Sequence, residues 1–157
     1  MDVSGDELAG VVDLFGALTR EELKTGLAEL AFKQGEEYDP DGFGSDIETA
    51  VQGYYLVELD ADTVGTDDPV LAPGPGAFPA LPPGAADLLH ILELEHREID
   101  RATAGAAALD RFRADAAAAV DSGDPEQVER LLDVSYELEA WADVELSAER
   151  EHLDGVV

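Results

Sequence analysis

Six of the eight prolines stand at positions 69, 73, 75, 79, 82 and 83. Each removes a backbone N–H and fixes φ, so neither a helix interior nor a central strand survives that density. The chain must therefore build its regular structure on either side, with 73–86 as an extended Pro/Gly-rich connector. Phe78 and Leu81 are expected to anchor this segment across the first domain. A proline-rich ligand for a partner domain is the other reading.

On the N-terminal side, Ser4 is placed to cap a helix whose apolar positions are Leu8, Val11, Val12, Phe15 and Leu18, one face of a 3.6-residue period. Thr19-Arg20-Glu21-Glu22 fits a capping box, opening a second helix with Leu23, Leu27, Leu30 and Ala31 inward and a stop near Gly35. Residues 35–44 are dense in turn formers and read as a loop. Ser45-Asp46-Ile47-Glu48 is a further capping box, leading a short helix with Ile47, Ala50, Val51 and Tyr54 inward. From Tyr55 the period changes: Leu56-Val57-Glu58-Leu59 and Val70-Leu71-Ala72 read as two strands around a polar turn. Three helices followed by a β-hairpin is the order of a winged-helix domain, here residues 1–72.

On the C-terminal side, Ile99, Ala102, Ala106, Leu109, Phe112, Ala116 and Val120 form a 3–4 stripe. It breaks at Asp121-Ser122-Gly123-Asp124-Pro125, where Gly123 suits a C-cap and Pro125 a first turn. Val128, Leu131, Ser135, Leu138, Ala142 and Leu146 continue the stripe, widened by Leu132 and Trp141. The expectation is an antiparallel helical hairpin over 87–157, with Ala116, Val120, Leu131, Leu138, Trp141 and Leu146 at its seam and at a self-association interface. The fold class expected is thus mainly α: a winged-helix-like domain, a connector and a helical hairpin.

Charge narrows the function. The 157 residues carry 37 acids and 9 bases, a net −28, with two Lys and seven Arg. Self-repulsion at that charge opposes compaction, but at molar salt the Debye length falls to about 3 Å. The periodic apolar stripes argue against disorder, so the composition reads as adaptation to a salt-filled cytoplasm. With no Cys, disulfides, thiol catalysis and zinc ribbons are excluded. No run of 18 apolar residues offers a membrane span, and the acidic start Met1-Asp2-Val3-Ser4-Gly5-Asp6 lacks a signal-peptide core.

The stretch Gly10-Val11-Val12-Asp13-Leu14-Phe15-Gly16-Ala17-Leu18-Thr19, with Pro73-Gly74-Pro75, Phe78-Pro79 and Leu81-Pro82, resembles an uncharacterised family of small acidic proteins of halophilic archaea, a domain of unknown function. The resemblance spans most of the chain and implies a halophilic habitat. It brings no catalytic or binding residue with it.

Three chemistries compete with a plain interaction role. Nucleic-acid binding requires Lys and Arg on phosphates, yet residues 1–70 hold 18 acids against Arg20, Lys24 and Lys33, and helix 45–54 has no base. Glu37, Asp39, Asp41, Gly42, Ser45 and Glu48 match positions 1, 3, 5, 6, 9 and 12 of a calcium loop, with Glu at position 1 and Pro40 as departures. Glu93-Leu94-Glu95-His96 and Glu149-Arg150-Glu151-His152 are two E-x-x-H motifs at nearly equal distances from Gly123. Antiparallel arms would level them to about 1.5 Å, as in di-metal carboxylate bundles. No phosphate loop, nucleophile elbow or singled-out acid/base pair is present. The expectation is a non-catalytic interaction or regulatory module of the cytoplasm, without cofactor, whose partner is a protein, a second copy included. Metal binding at Glu93, His96, Glu149 and His152 is the first alternative, and winged-helix DNA regulation the second.

Overall fold

The structure is a computed structural model that describes residues 3–37 and 40–156. The chain divides into two compact units, residues 1–99 and residues 100–157. The division lies past the proline-rich segment expected as the linker, because that segment folds back onto unit 1.

Helix α1 (Gly5–Phe15) begins at the Ser4 cap: the Ser4 hydroxyl accepts the Glu7 N–H at 3.1 Å and the Glu7 carboxylate accepts the Ser4 N–H at 3.2 Å. It ends at Gly16, whose φ of +85° turns the chain sharply. Leu18 therefore belongs to strand β1 (Leu18–Thr19), not to the helix. Thr19 then caps α2 (Arg20–Lys33) through the expected box with Glu22, at 3.2 and 2.8 Å. The faces read from the sequence are the buried ones: Leu8, Val11, Val12 and Phe15 on α1, and Leu23, Leu27, Leu30 and Ala31 on α2.

Helix α3 (Pro40–Gln52) corrects the reading of 35–44 as a loop opening a helix at Ser45. It starts at Pro40, a first-turn residue whose missing N–H costs nothing there. It runs through Gly42 and Gly44 because Phe43 is buried in the core. Asp41, Ser45 and Glu48 are thereby spread along a helix, which dissolves the calcium-loop geometry. Asp39 lies outside the described residues. Ile47, Ala50, Val51 and Tyr54 are buried as expected, Tyr54 beyond the helix end at φ +64°.

Strands β2 (Leu56–Leu59) and β3 (Val70–Pro73) pair antiparallel, Leu56 opposite Pro73 and Leu59 opposite Val70. A one-turn helix, α4 (Ala61–Val64), lies between them. β1 adds to the other edge of β3, giving the order β1-β3-β2. Two residues carry no period, so β1 had no sequence signal.

The segment after β3 is tied down by its backbone. Gly74 and Gly76 donate to the Tyr55 and Tyr54 carbonyls at 2.9 and 2.8 Å, and Ala80 donates to the Asp6 carbonyl at 3.0 Å. A Cβ on Gly10 would lie 2.1 Å from the Ala80 carbonyl oxygen, so only glycine lets the strap pass over α1. The expected anchors are not the anchors: Phe78 and Leu81 are exposed, whereas Ala85 and Leu88 are buried. Leu88 opens α5 (Leu88–Ile91), after which residues 92–99 run as a non-helical arm with Leu92 and Leu94 packed on the core.

Unit 2 is three helices, where two arms were expected. α6 (Arg101–Ser122), capped by Asp100, and α7 (Pro125–Trp141), capped by Asp124, pack together across a turn at Gly123, φ +68°. α7 stops at Trp141, short of Leu146, because Ala142 is extended and Arg101 donates to the Trp141 carbonyl at 2.7 Å. The chain turns back into α8 (Ser147–Asp154), and Leu146 and Leu153 are buried. The buried face of α6 is Ala104, Gly105, Ala108, Phe112, Ala116 and Ala119, rotated from the expected stripe. Ala102, Ala106 and Val120 are exposed. Ten alanines in α6 leave the pattern little contrast, and Gly105 faces inward at a close approach: a Cβ there would be 2.9 Å from that of Ala142.

Candidate interaction surfaces

Unit 2 carries a groove between α6 and α8 enclosing about 410 Å³. Ala116, Ala117 and Val120 line it as an apolar floor, with Arg113, Asp121, Glu149 and His152 around it. Val120 is 39% exposed, and Arg113 donates to Glu149 at 3.2 Å while remaining 55% exposed. The groove exists because a clasp holds α8. Arg150 makes two bonds to the Glu139 carboxylate at 2.7 and 3.2 Å, and the same carboxylate accepts the Leu146 N–H at 2.9 Å. Hydrogen bonds from Arg150, then from the Leu146 amide, hold the Glu139 carboxyl below its ordinary range. The Arg150 guanidinium also lies 4.5 Å from the centre of the Tyr136 ring.

The residues named from sequence are dispersed. Of the expected interface, Ala116, Leu131, Leu138 and Leu146 are buried within unit 2, Trp141 lies under the Arg101 guanidinium at 4.5 Å, and Val120 faces solvent. Of the expected metal set, Glu149 and His152 do stand one turn apart on α8, but Glu149 holds Arg113. Glu93 and His96 lie on the non-helical arm, so the first E-x-x-H makes no helix face. His96 packs on Phe15 with ring centroids 5.5 Å apart. Among the described residues no group of three or more His or acidic side chains is placed to hold a metal ion, and no helix is long and apolar enough to cross a membrane.

All nine basic side chains are already engaged. Arg20 bridges Glu48 at 2.6 Å and Glu58; Lys24 meets Glu21 at 3.8 Å and Lys33 meets Asp87 at 2.9 Å. Arg111 pairs with Asp115 at 3.4 Å, and Arg130 has a partner as well. Arg97, half-buried, donates to Glu22 at 2.6 Å and to the Ala17 carbonyl at 3.1 Å, while its own N–H bonds the Phe15 carbonyl at 2.9 Å. Burial pushes the Glu22 carboxyl up, but the bonds from Arg97 and the Thr19 amide outweigh it and leave the group lowered. Sequence reasoning missed these clasps, because a pair such as Arg97 and Glu22 is separated by most of the unit and has no local period.

No curated protein and no solved structure matches the chain. A family model does, from residue 6 to residue 157, and the chain accordingly belongs to the family of unknown function DUF7109.

Proposed function

We propose that this chain is a non-catalytic protein–protein interaction or regulatory module of a halophilic cytoplasm, and that unit 2 pairs with a second copy of itself. The observation that carries the reading is that no basic side chain is left over while apolar surface is. Phosphate binding needs cations that replace condensed counterions, and all nine here have intramolecular partners. The order helix, strand, helix, helix, strand, strand, with the one-turn α4 between the last two strands and β1 closing on β3, supports a winged-helix-like reading of unit 1. Its α3, in the recognition position, turns Asp41, Ser45, Glu48, Thr49 and Gln52 outward, a face that suits protein better than DNA.

Self-pairing follows from the register of α6. Arg113 and Asp121 are equally far from Ala117, so a two-fold axis at Ala117 sets each Arg113 against the other copy's Asp121. Ala117 then meets its own symmetry mate and Val120 faces the other copy's Ala114, and these small side chains allow close approach. At molar salt the like charge of two copies is screened to a few ångströms.

The test is light scattering on a sizing column in molar KCl. A dimer is expected. Val120→Asp should yield monomer with an unchanged melt, Arg113→Asp should weaken pairing, and Arg113→Asp with Asp121→Arg should restore it. A monomeric wild type, or a charge swap that restores nothing, overturns the self-pairing.

A further inference from the structure

Phe78 is the most exposed large apolar side chain among the described residues, at 83%, and Leu81 is 52% exposed. Both sit in an unbroken run of 18 uncharged residues, 69–86, in a chain that otherwise places a charge at more than a quarter of its positions. The ribbon around them is not loose. The Phe78 N–H donates to Asp6 Oδ1 at 2.9 Å, the Ala80 N–H to the Asp6 carbonyl at 3.0 Å, and Gln34 Nε2 to the Pro83 carbonyl at 3.1 Å. Residues 77–82 have neither helix nor ladder, and three of the six residues 78–83 are proline.

An extended proline-rich segment turns once every three residues, which puts Phe78 and Leu81 on one edge and Pro79 and Pro82 on the next. Residues 78–81 are all exposed, and the ribbon turns a ring inward only at Pro82, which is buried. The segment is held along one side by α1 and α2 and offers the opposite edge to solvent.

We propose that this edge, Phe78 and Leu81 on the Pro79-Ala80-Leu81-Pro82 ribbon, is a docking site for a protein with an uncharged groove lined by aromatic rings. Three features select that occupant. Pyrrolidine rings and an aromatic spaced by three match the recognition mode of proline-rich segments. The ribbon's neutrality excludes a partner recruited by charge, and an apolar contact keeps its strength in concentrated salt where ion pairs lose theirs. Its backbone is already ordered, so docking does not have to order it. The site is independent of the α6–α8 groove, and either can fail alone.

The experiment places the photo-crosslinker p-benzoylphenylalanine at position 78 of the full chain, in a lysate of its source cells at molar KCl, with a second preparation carrying it at exposed Leu89. The synthetic peptide of residues 74–84 is the competitor. The expected result is a discrete adduct to another protein from position 78 and not from 89. It should be lost with the peptide, lost with Leu81→Ser, retained with Val120→Asp, and mapped by mass spectrometry to a segment containing Trp or Tyr. An adduct only to the chain itself or to a second copy, an adduct insensitive to the peptide, or none at all would overturn the proposal. Since Phe78 and Leu81 are exposed, the variants should melt with the wild type, which separates lost docking from lost folding.

Discussion

Gly16→Ala tests whether the arm at 92–99 is locked to unit 1 by α1's C-terminus. At Gly16, φ is +85°, and a Cβ would sit 1.7 Å from the Arg97 carbonyl oxygen. Alanine in that backbone region costs about 1–2 kcal/mol by itself. The collision is with backbone, so it is relieved only by moving the arm. That breaks the bond from the Arg97 N–H to the Phe15 carbonyl, about 1 kcal/mol, and the half-buried bonds from Arg97 to Glu22 and Ala17, about 1.5 kcal/mol. The gross loss is near 4 kcal/mol, cut to about 2–3 kcal/mol by the entropy the freed arm regains. Gly35→Ala is the control, since Gly35 has φ +70° with nothing within 4 Å of its Cβ position, and should cost only about 1 kcal/mol. Hydrogen exchange read by mass spectrometry resolves the two: peptides covering 92–99 should exchange at least tenfold faster in Gly16→Ala and unchanged in Gly35→Ala. In the Gly16→Ala background, Arg97→Ala should add almost nothing, a coupling of about 1.5 kcal/mol. Equal costs at the two glycines, or additive costs for Gly16→Ala and Arg97→Ala, would refute the lock.

Acid should unfold the protein through the clasps. The carboxyls of Glu22, Asp87, Asp100 and Glu139 are lowered in the folded state, so their contribution is complete above the unfolded carboxylate range and is lost as pH falls through the folded values. Arg97→Gln, which removes that hold on Glu22, should shift the acid midpoint of unit 1 to higher pH in molar KCl, followed by circular dichroism. Glu137 has the opposite sign, raised by burial and then by Asp133, so Glu137→Gln should raise Tm at pH 7 and lose that gain in acid. Phe112→Ala, at a side chain with no solvent exposure, should cost about 3–5 kcal/mol, enough to abolish a unit of 58 residues, read in urea by the fluorescence of Trp141, the only Trp.

What the sequence discloses is local. Ser4 as the cap of α1, Thr19 with Glu22, and Gly123 before Pro125 each bring their partners within four residues, and all three do their expected work. The faces of α1 and α2 were legible because Leu, Val and Phe contrast with Asp and Glu. The buried face of α6 is rotated from the stripe its sequence suggests because alanine scores as apolar on every face, and close approach, not size, decides which alanines turn inward. The end of α7 and the true anchors of the proline segment depended on Arg101, Arg150, Asp6 and Gly10, whose partners are remote in sequence. For the same reason Glu93 and His96 looked like a metal half-site: the pattern was correct for a helix, and the helix is not there.

Those remote pairs also explain how a chain of net −28 spends nine cations. Six of the nine join different elements: Arg20 ties α2 to α3 and β2, Lys33 ties α2 to the strap, Arg97 the arm to α2, Arg101 α6 to α7, Arg113 α6 to α8, and Arg150 α8 to α7. A lone exposed ion pair is worth little, about 0–1 kcal/mol, and less in salt. Arginine, seven of the nine, offers more because its planar fork makes several directed bonds that persist when long-range charge is screened, as at Glu139 and Glu22. Placed between elements, each such bond also selects one packing over others that would bury similar apolar area, which matters in unit 2, where alanine specifies so little. The cations are therefore consumed in choosing the fold. Recognition is left to the neutral surface: the alanine-floored groove with Val120, and the ribbon that holds out Phe78 and Leu81.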